Sequence, residues 1–279
     1  MAAKMVNDTF ARRLWIRNRP LIARHRRNPL FKGIARLSYW WLKAYENCSG
    51  EFASNGEEMA LRSLTGAPLA TIFDVGANFG NWSLLAHRLL PAARIYAFEL
   101  SPPTFKELEK NIHGGAAIQA FNCGLSDHAG ETTFYHYPDK PGETSLIAHP
   151  FQNQTSGFEL KGQLRTGDAF CAEHGIQKID LLKIDVEGAE SFVLRGFEKM
   201  LAGGRISMIQ FEYEKLNTVS KFLLKDFYAL LEGHGYTLGK IFPTYVDFRD
   251  YDFEHELLWG SNYLAVLKNR PDLLDRFPK

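Results

Sequence analysis

The sequence is poor in the features that mark secreted, zinc-binding and membrane-spanning proteins. Its 279 residues contain three scattered cysteines, Cys48, Cys123 and Cys171, and no CxxC pair, which argues against a structural zinc site and favours a reducing compartment. No run of about 18 apolar residues is present, so the sequence predicts no membrane-spanning helix. The first residues show no apolar signal core followed by a cleavage site. We therefore expect a cytoplasmic protein.

Acidic residues are almost absent from the first 43 positions. This segment carries eleven lysines or arginines and one acid, Asp8, whereas the remaining 236 residues carry 22 basic and 31 acidic side chains. Such an asymmetry indicates an anionic partner. Hydrophobic residues in this segment recur at helical spacing, at Leu30, Ile34, Leu37 and Trp41. The pattern predicts an amphipathic helix.

Three interpretations of the basic residues 1–45 stay open. The helix packs on the rest of the chain or on a second copy in a homo-oligomer. Alternatively it lies on an anionic membrane surface, and the protein is then peripheral at the inner face of the membrane. Each basic residue near the lipid contributes about 1 kcal/mol to the free energy of such binding. Nucleic acid is the third partner, and it is disfavoured because aromatic residues are not regularly interleaved with the arginines.

From about residue 70 onward, short β-rich runs alternate with stretches of helical spacing. The five strands expected in this alternation are Thr71–Val75, Arg94–Phe98, Ala117–Phe121, Ile179–Ile184 and Ile206–Phe211. Two later runs, Tyr236–Phe242 and Asn262–Leu267, are expected to form an antiparallel pair. Strands that alternate with helices indicate an α/β fold with a mostly parallel sheet and helices on both faces.

The domain organisation follows from the same patterns. We expect a basic, partly helical extension over residues 1–50 and one α/β domain over residues 51–270. The stretch from about 131 to 165 breaks the alternation of strands and helices, because it contains alternating runs and turn residues. We interpret it as inserted strands or a lid.

A turn with two glycines follows the first predicted strand and precedes a helix. Gly76 and Gly80 let the backbone approach a ligand closely, and the helix N-terminus offers free N–H groups. The dinucleotide fingerprint GxGxxG is missing, which weighs against a nicotinamide oxidoreductase. An acid at the strand end suits a cationic ligand instead, held directly or through the backbone and water. The candidate cofactor-binding residues of this turn are Asp74, Gly76, Ala77, Asn78 and Gly80.

Further acids follow the next two predicted strands. Glu99 closes the second strand, about 20 residues beyond the glycines, where a carboxylate holds ribose hydroxyls. Ser126 and Asp127 follow the third strand, where a carboxylate or a backbone N–H can meet an adenine edge. Ligands of open α/β sheets bind at the carboxyl ends of the strands. These residues together indicate a site for S-adenosylmethionine rather than NAD, although Asp127 alone is equally compatible with a loop or helix-capping role.

Four segments of the sequence carry a family resemblance. The segments DVGANFG (74–80), YAFEL (96–100), GLSD (124–127) and IDLLKIDVEGAE (179–190) resemble the FkbM family of S-adenosylmethionine-dependent methyltransferases. The resemblance extends from about Glu51 to Leu267. It implies a class I methyltransferase fold with seven strands, the last of them antiparallel. It also implies methylation of a hydroxyl group on a sugar, a polyketide or a related small molecule.

Charged residues cluster after the fourth predicted strand, which would place them beside the methyl group of the cofactor. An alcohol is a weak nucleophile near pH 7, and a positioned base is typically worth about 10²–10⁴-fold in rate. We interpret Asp185 as this base or as the group that orients the acceptor hydroxyl, Glu187 as the next candidate, and Lys183 as the cation that stabilises both. For Glu190 the alternative is an acid favoured by the helix dipole.

A divalent metal is an alternative to a plain base. Asp185, Glu187 and Glu212 offer hard oxygen ligands, although their spacing does not demand a metal. The nine histidines form no HxxxH or HxH pattern, which disfavours zinc. The acceptor pocket is expected from aromatic and polar side chains outside the core repeats. The candidates are Tyr135, His136, Thr144, Ser145, Tyr213, Glu214, His255 and Trp259.

These observations predict an S-adenosylmethionine-dependent O-methyltransferase whose acceptor is a small molecule or a glycan. The alternative is a non-catalytic protein that keeps the cofactor fold and docks to a membrane or to nucleic acid through its basic arm. The cluster of acids after the fourth strand argues against that alternative, because a docking protein has no use for it.

Overall fold

The computed structural model describes residues 9–112, 117–148, 150 and 157–279. The chain divides into two compact units, Met1–Glu46 and Asn47–Lys279. Two helices, α1 (Thr9–Arg24) and α2 (Pro29–Tyr45), belong to the first unit. The side chain of Asn28 caps α2 by accepting a hydrogen bond from the N–H of Leu30 at 2.9 Å, as is common at helix N-termini. Among the described residues, no helix has both the length and the hydrophobicity that crossing a bilayer requires.

The second unit is organised around an eight-stranded sheet. The strands of this unit are β1 (Thr71–Val75), β2 (Arg94–Phe98), β3 (Ile118–Phe121), β4 (Gly124–Leu125), β5 (Gly130–His136), β6 (Phe158–Arg165), β7 (Ile179–Ile184), β8 (Ile206–Glu214), β9 (Tyr236–Ile241), β10 (Val246–Phe248) and β11 (Trp259–Leu267). The order in the main sheet is β10-β9-β11-β8-β7-β1-β2-β3. Strands β3, β2, β1, β7 and β8 are parallel, and β11 is antiparallel to both β8 and β9. The predicted α/β fold with a mostly parallel sheet is confirmed.

The sheet has one strand more than the seven that the family resemblance implies. The additional strand, β10, pairs antiparallel with β9 at the edge of the sheet. It is only three residues long. Three residues show too little alternation for a sequence pattern to identify a strand, so the sequence contained no usable signal for it.

Helices flank the sheet of the second unit. They are α3 (Glu57–Ser63), α4 (Asn81–Leu89), α5 (Pro102–Asn111), α6 (Gly167–Glu173), α7 (Glu190–Gly196), α8 (Glu198–Ala202), α9 (Asn217–Ser220), α10 (Leu224–Gly233) and α11 (Pro271–Leu274), with short 3₁₀ turns at Pro141–Glu143 and Phe253–His255. The helical segment that follows β7 is interrupted at Phe197, which separates α7 from α8. At the end of α7 the backbone packs closely, since a Cβ on Gly196 would lie 2.1 Å from the carbonyl oxygen of Ser126.

The side chains of the central strands form a hydrophobic core on each face of the sheet. In β1, Ile72 belongs to one buried cluster and its neighbour Phe73 to the other. This division follows from the alternation of side chains along a strand. Because both faces are buried, the central parallel strands are almost continuously apolar. Buried charged residues in these strands, such as Asp74 and Lys183, are therefore of special interest.

The predicted insertion contains a second, smaller sheet. Strands β5 and β6 pair antiparallel, and β4 pairs parallel with β6. Beyond β5 the chain folds back, and Tyr135 forms a backbone bridge with Ser145. Residues 149 and 151–156 of the predicted insertion lie outside the described residues.

Candidate functional site

A cavity of about 270 Å³ lies at the carboxyl ends of the parallel strands β1, β2, β7 and β8. This is the edge at which open α/β sheets bind ligands, and the volume is near the lower limit of about 300 Å³ for small-molecule pockets. The lining residues most relevant to chemistry are Glu57, Asn78, Glu99, Asp185, Glu187 and Glu212. All of them are polar, and five are acids.

The turn after β1 packs closely against neighbouring protein atoms at its two glycines. Gly76 has a φ of +83°, and a Cβ at this position would lie 1.8 Å from the carbonyl oxygen of Asp185. Gly80 has a φ of +84°, and its Cβ would lie 2.6 Å from the side chain of Leu108. Both glycines were expected to admit a ligand. A side chain at either position would collide with protein atoms; Gly76 also lines the cavity, and the approach of a ligand to this turn stays a prediction.

Glu99 is held rigidly at the end of β2. Its two carboxylate oxygens accept hydrogen bonds from the backbone N–H groups of Asn78 and Ser101, each at 2.9 Å. Burial raises the pKa of Glu99 to about 7, against the lowering effect of these two hydrogen bonds. The side-chain oxygen of Asn78 is buried and has no hydrogen-bond partner among the described residues. Glu99 and Asn78 therefore present acceptor atoms to the cavity.

The other predicted cofactor-binding residues do not line the cavity. Asp74 is completely buried beneath it, where its carboxylate accepts a hydrogen bond from the Ser83 hydroxyl at 2.7 Å. Ala77 is buried and donates its N–H to the carbonyl of Phe98. Ser126 is buried and donates its N–H to the carbonyl of Arg165, and Asp127 contacts His128 at 2.7 Å. The role of these residues in binding the cofactor stays a prediction.

Lys183, on β7, forms ion pairs with one acid on β1 and one acid in the loop after β7. Its ammonium group lies 3.2 Å from a carboxylate oxygen of Asp74 and 3.1 Å from one of Asp185. Burial on its own lowers the pKa of Lys183, but the carboxylates of Asp185 and Asp74 outweigh burial and raise it above the ordinary value. Lys183 therefore stays charged and is not a proton donor or acceptor at neutral pH.

Three carboxylates meet on the wall of the cavity opposite Glu99. Asp185, Glu187 and Glu212 each have an oxygen within 4.8 Å of an oxygen of the other two. Burial, followed by the charges of Glu212 and Asp185, raises the pKa of Glu187 well above its ordinary value. Burial and the charge of Asp185 do the same for the pKa of Glu212. The cluster is suited to accept a proton or to bind a hard cation.

The loop that carries Glu187 is fastened by Glu190. One oxygen of Glu190 accepts hydrogen bonds from the N–H groups of Val186 and Gly188, and the other accepts from the side-chain amide of Asn217 at 3.2 Å. Glu187 itself has a φ of +54°, a conformation that non-glycine residues rarely adopt. Glu190 is completely buried, so it shapes the loop and does not face the cavity.

Some of the candidate acceptor-binding residues reach the cavity. Thr144 and Ser145 line it, and the Ser145 hydroxyl donates a hydrogen bond to the carbonyl of Glu187 at 2.6 Å. His136 is buried behind them, 3.3 Å from the hydroxyl of Thr144. The remaining candidates do not line the cavity; they are Tyr135, Tyr213, Glu214, His255 and Trp259.

Glu57 and Asn262 line the cavity but were not among the candidate site residues predicted from the sequence. Glu57 is buried, and its carboxylate accepts hydrogen bonds from Asn55 at 2.6 Å and from Gln210 at 2.7 Å. Asn262 lies on β11 directly opposite Glu212. Both residues lie in segments that the family resemblance includes, Asn55-Gly56-Glu57 and Asn262-Tyr263-Leu264-Ala265, and that resemblance was the available signal.

Comparison with known proteins supplies the family. A family model described as the methyltransferase FkbM domain matches residues 74–238, which is more than half of the chain. The chain belongs to the FkbM methyltransferase family. The matched region contains all the residues predicted to bind cofactor or to act in catalysis. Glu57 and Asn262 lie outside it, so part of the cavity lining comes from beyond the matched region.

Three relatives illustrate the similarity of this FkbM methyltransferase to characterised proteins. The 31-O-demethyl-FK506 methyltransferase FkbM of Streptomyces tacrolimicus is 32% identical over 197 residues, covering 61% of this chain and 74% of that protein. Methyltransferase 1 of Beauveria bassiana is 31% identical, covering 46% of this chain and 58% of that protein. The 2-O-methyltransferase NoeI of Sinorhizobium fredii is 27% identical, covering 55% and 68%. The chain thus spans less than two thirds of the length of the Beauveria protein.

Proposed function

We propose that this FkbM methyltransferase transfers a methyl group from S-adenosylmethionine to a hydroxyl group of a small molecule or a glycan. The observation that carries the proposal is that one cavity brings together a fixed carboxylate, Glu99, and a cluster of carboxylates, Asp185, Glu187 and Glu212. The first suits a nucleoside and the second suits an acceptor hydroxyl. The names of two relatives, which specify 31-O and 2-O methylation, support the choice of oxygen as the acceptor atom.

The residues near β1 and β2 fit the nucleoside part of the cofactor. Each oxygen of Glu99 uses one lone pair on a backbone N–H, which leaves further acceptor capacity for two ribose hydroxyls. The unpartnered side-chain oxygen of Asn78 needs a donor, because a buried polar atom without a partner is costly. When bound, S-adenosylmethionine supplies a methyl group on a positively charged sulfur. The buried Asp74 acts indirectly, by holding Lys183 in place.

The acids at the end of β7 and β8 fit the acceptor side. Asp185 is partly accessible, with 37% of its side chain exposed. Glu187, two residues further along the chain, also lines the cavity. Either carboxylate can take the hydroxyl proton, a cation held beside them would make that hydroxyl more acidic, and Lys183 keeps Asp185 oriented. Alignment of the hydroxyl oxygen with the methyl group then supplies much of the rate. The same cluster argues against a non-catalytic docking protein.

The experiment that tests the cofactor is calorimetric titration of S-adenosylmethionine and S-adenosylhomocysteine into the purified full chain. We expect binding to the wild type and affinity at least about tenfold weaker for Glu99→Gln, because a hydrogen bond to a charged group contributes about 1.5–3 kcal/mol. Glu107→Gln is the matched control, since Glu107 is an exposed acid on α5. Binding that is absent from the wild type, or equal in Glu99→Gln, contradicts the proposal. Formation of S-adenosylhomocysteine with sugar-containing acceptors then identifies the substrate.

For residues 1–45 we propose a second role, attachment to the anionic surface at the inner face of a membrane. None of the residues of α2 is buried. Its exposed hydrophobic side chains include Leu30, Leu37, Trp40 and Trp41, which are all more than 60% exposed. The ammonium group of Lys43 lies 5.8 Å from the centre of the Trp40 ring. Tryptophans, apolar residues and bases on one helix are typical of helices that lie in the membrane interface.

A further inference from the structure

The acidic wall of the cavity has an excess of negative charge. Five carboxylates line the cavity, those of Glu57, Glu99, Asp185, Glu187 and Glu212, and no lysine or arginine is among the described lining residues. The nearest base, Lys183, is already shared by Asp74 and Asp185. Buried like charges are unfavourable unless protons or cations neutralise them. Protons, a bound cation or a positively charged ligand can each neutralise this excess.

Three of these acids have the geometry of a coordination site. An ion such as Mg²⁺, which binds oxygen ligands at about 2.0–2.1 Å, places any two of those oxygens no more than about 4.2 Å apart. The oxygens of Asp185, Glu187 and Glu212 lie within 4.8 Å of one another. Asp185 and Glu187 reach this position from the loop after β7, and Glu212 reaches it from β8. To share one Mg²⁺ ion the oxygens need to approach one another by about 0.6 Å at most.

Asn262 supplies an independent observation on the same wall. It is 7% exposed, it lines the cavity, and its partner in the β8–β11 register is Glu212. Side chains of directly opposed residues in an antiparallel pair are about 4.5–5.5 Å apart at Cβ. Within the described part of the chain, the side-chain amide of Asn262 has no hydrogen-bond partner. The amide reaches the open space of the cavity, since its atoms are not among the fully buried ones that lack a partner, and its carbonyl oxygen is a ligand that hard cations accept.

We propose that Asp185, Glu187, Glu212 and Asn262 bind one hard divalent cation of the Mg²⁺ or Mn²⁺ type. An octahedral ion with four protein ligands keeps about two positions for water or for oxygens of the acceptor. The site is expected to bind the ion without cofactor or acceptor. Only the further role of the ion, to hold the acceptor hydroxyl, rests on the proposed function.

The test is a titration of Mn²⁺ into the metal-free full chain, followed through the loss of the electron paramagnetic resonance signal of free Mn²⁺. We expect one Mn²⁺ per chain, displaced by excess Mg²⁺. Glu212→Gln should weaken binding at least about tenfold and Asn262→Ala several-fold, whereas Asn262→Asp should retain it, because a carboxylate replaces the amide oxygen. Glu107→Gln should bind as the wild type does. The melting temperature of each metal-free variant shows that it is folded.

Two results would overturn the site. One is a wild-type chain that binds no Mn²⁺, either alone or with S-adenosylhomocysteine present. The other is binding that is equal in the wild type, Glu212→Gln and Asn262→Ala. Calorimetry with S-adenosylmethionine in excess chelator separates the two hypotheses: cofactor binding without Mn²⁺ binding refutes only the metal site, and Mn²⁺ binding without cofactor binding refutes only the proposed function.

Discussion

At the residue scale, Glu99 illustrates how burial alters a side chain that the sequence already identified. The sequence placed an acid at the end of β2, and the alternation of strands and helices indicated its role. Burial raises its pKa to about 7, and two backbone hydrogen bonds oppose this rise. These depend on the turn at Asn78 and on Ser101, so they are properties of the folded cavity.

The raised pKa predicts a pH dependence of cofactor affinity. The ionised form of Glu99 accepts ribose hydroxyls better than the protonated form, so bound cofactor favours ionisation and lowers the pKa. Affinity should therefore be highest above pH 7 and should weaken as the pH falls through about 7. Calorimetry of S-adenosylmethionine binding between pH 5.5 and 8.5, at fixed ionic strength, measures this dependence. Glu99→Gln should show a flatter profile, and a flat wild-type profile would disprove the linkage.

Asp74 shows the limit of inference from a single residue. The sequence allowed it to touch a cationic ligand directly or to act from beneath. The structure places it under the cavity, completely buried, in contact with Ser83 and Lys183. Position along a strand determines which face a side chain occupies, but only the packing of α4 and β7 decides whether that face opens to a ligand.

At the element scale, the loop between β7 and α7 depends on a neighbouring element, α9. Asn217 on α9 is completely buried, donates its side-chain amide to Glu190, and accepts the N–H of Glu214 at 2.8 Å. Glu190 in turn holds the loop that carries Glu187. The segment 179–190 was the most specific signature in the sequence, yet its partner Asn217 lies 27 residues beyond Glu190 in the chain.

Asn217→Ala should lower the free energy of unfolding by at least about 2 kcal/mol. The Glu190 carboxylate and the N–H of Glu214 both lose a hydrogen-bond partner, and the loss of a partner costs a buried group about 1–3 kcal/mol. Urea denaturation at neutral pH, with unfolding midpoint and slope both fitted, measures the loss. The matched control is Thr218→Ala on the same short helix, where an exposed hydroxyl bonds the carbonyl of Lys215, and we expect a change below about 0.5 kcal/mol. Equal stability of the two variants would show that α9 does not fasten the loop.

At the scale of the whole molecule, charge is divided unequally between the two units. Residues 1–43 carry eleven bases and one acid, and the rest of the chain carries an excess of acids. The exposed tryptophans of α2 belong to the basic unit. This division makes the proposed membrane attachment a property of one unit and the proposed methyl transfer a property of the other.

The full chain should sediment with vesicles that contain anionic lipid and much less with neutral vesicles. Raising the salt from 0.1 to 0.5 M should weaken the binding, because the charge interactions are screened. Trp40→Ser/Trp41→Ser should reduce the bound fraction at least about fivefold, since two interfacial aromatic anchors are lost. Phe253→Ser is the matched control, because Phe253 is 80% exposed in the other unit.

Equal binding of Trp40→Ser/Trp41→Ser and the wild type to anionic vesicles would refute the membrane proposal. Sedimentation equilibrium of the same variants without vesicles examines the alternative of a second copy. Self-association that disappears in Trp40→Ser/Trp41→Ser would assign α2 to a homo-oligomer instead.

The sequence by itself determined the α/β class, the positions of the main strands along the chain, the antiparallel pair at the end, and the family. These follow from local periodicity and from contiguous motifs, which neighbouring residues encode. Only the tertiary structure decided that Glu57 and Asn262 share one cavity with Asp185, and that Asp74, Ser126 and Asp127 do not line it. The reason is physical: which side chains meet at the end of a sheet depends on strand order and on register across distant segments, and neither is encoded locally.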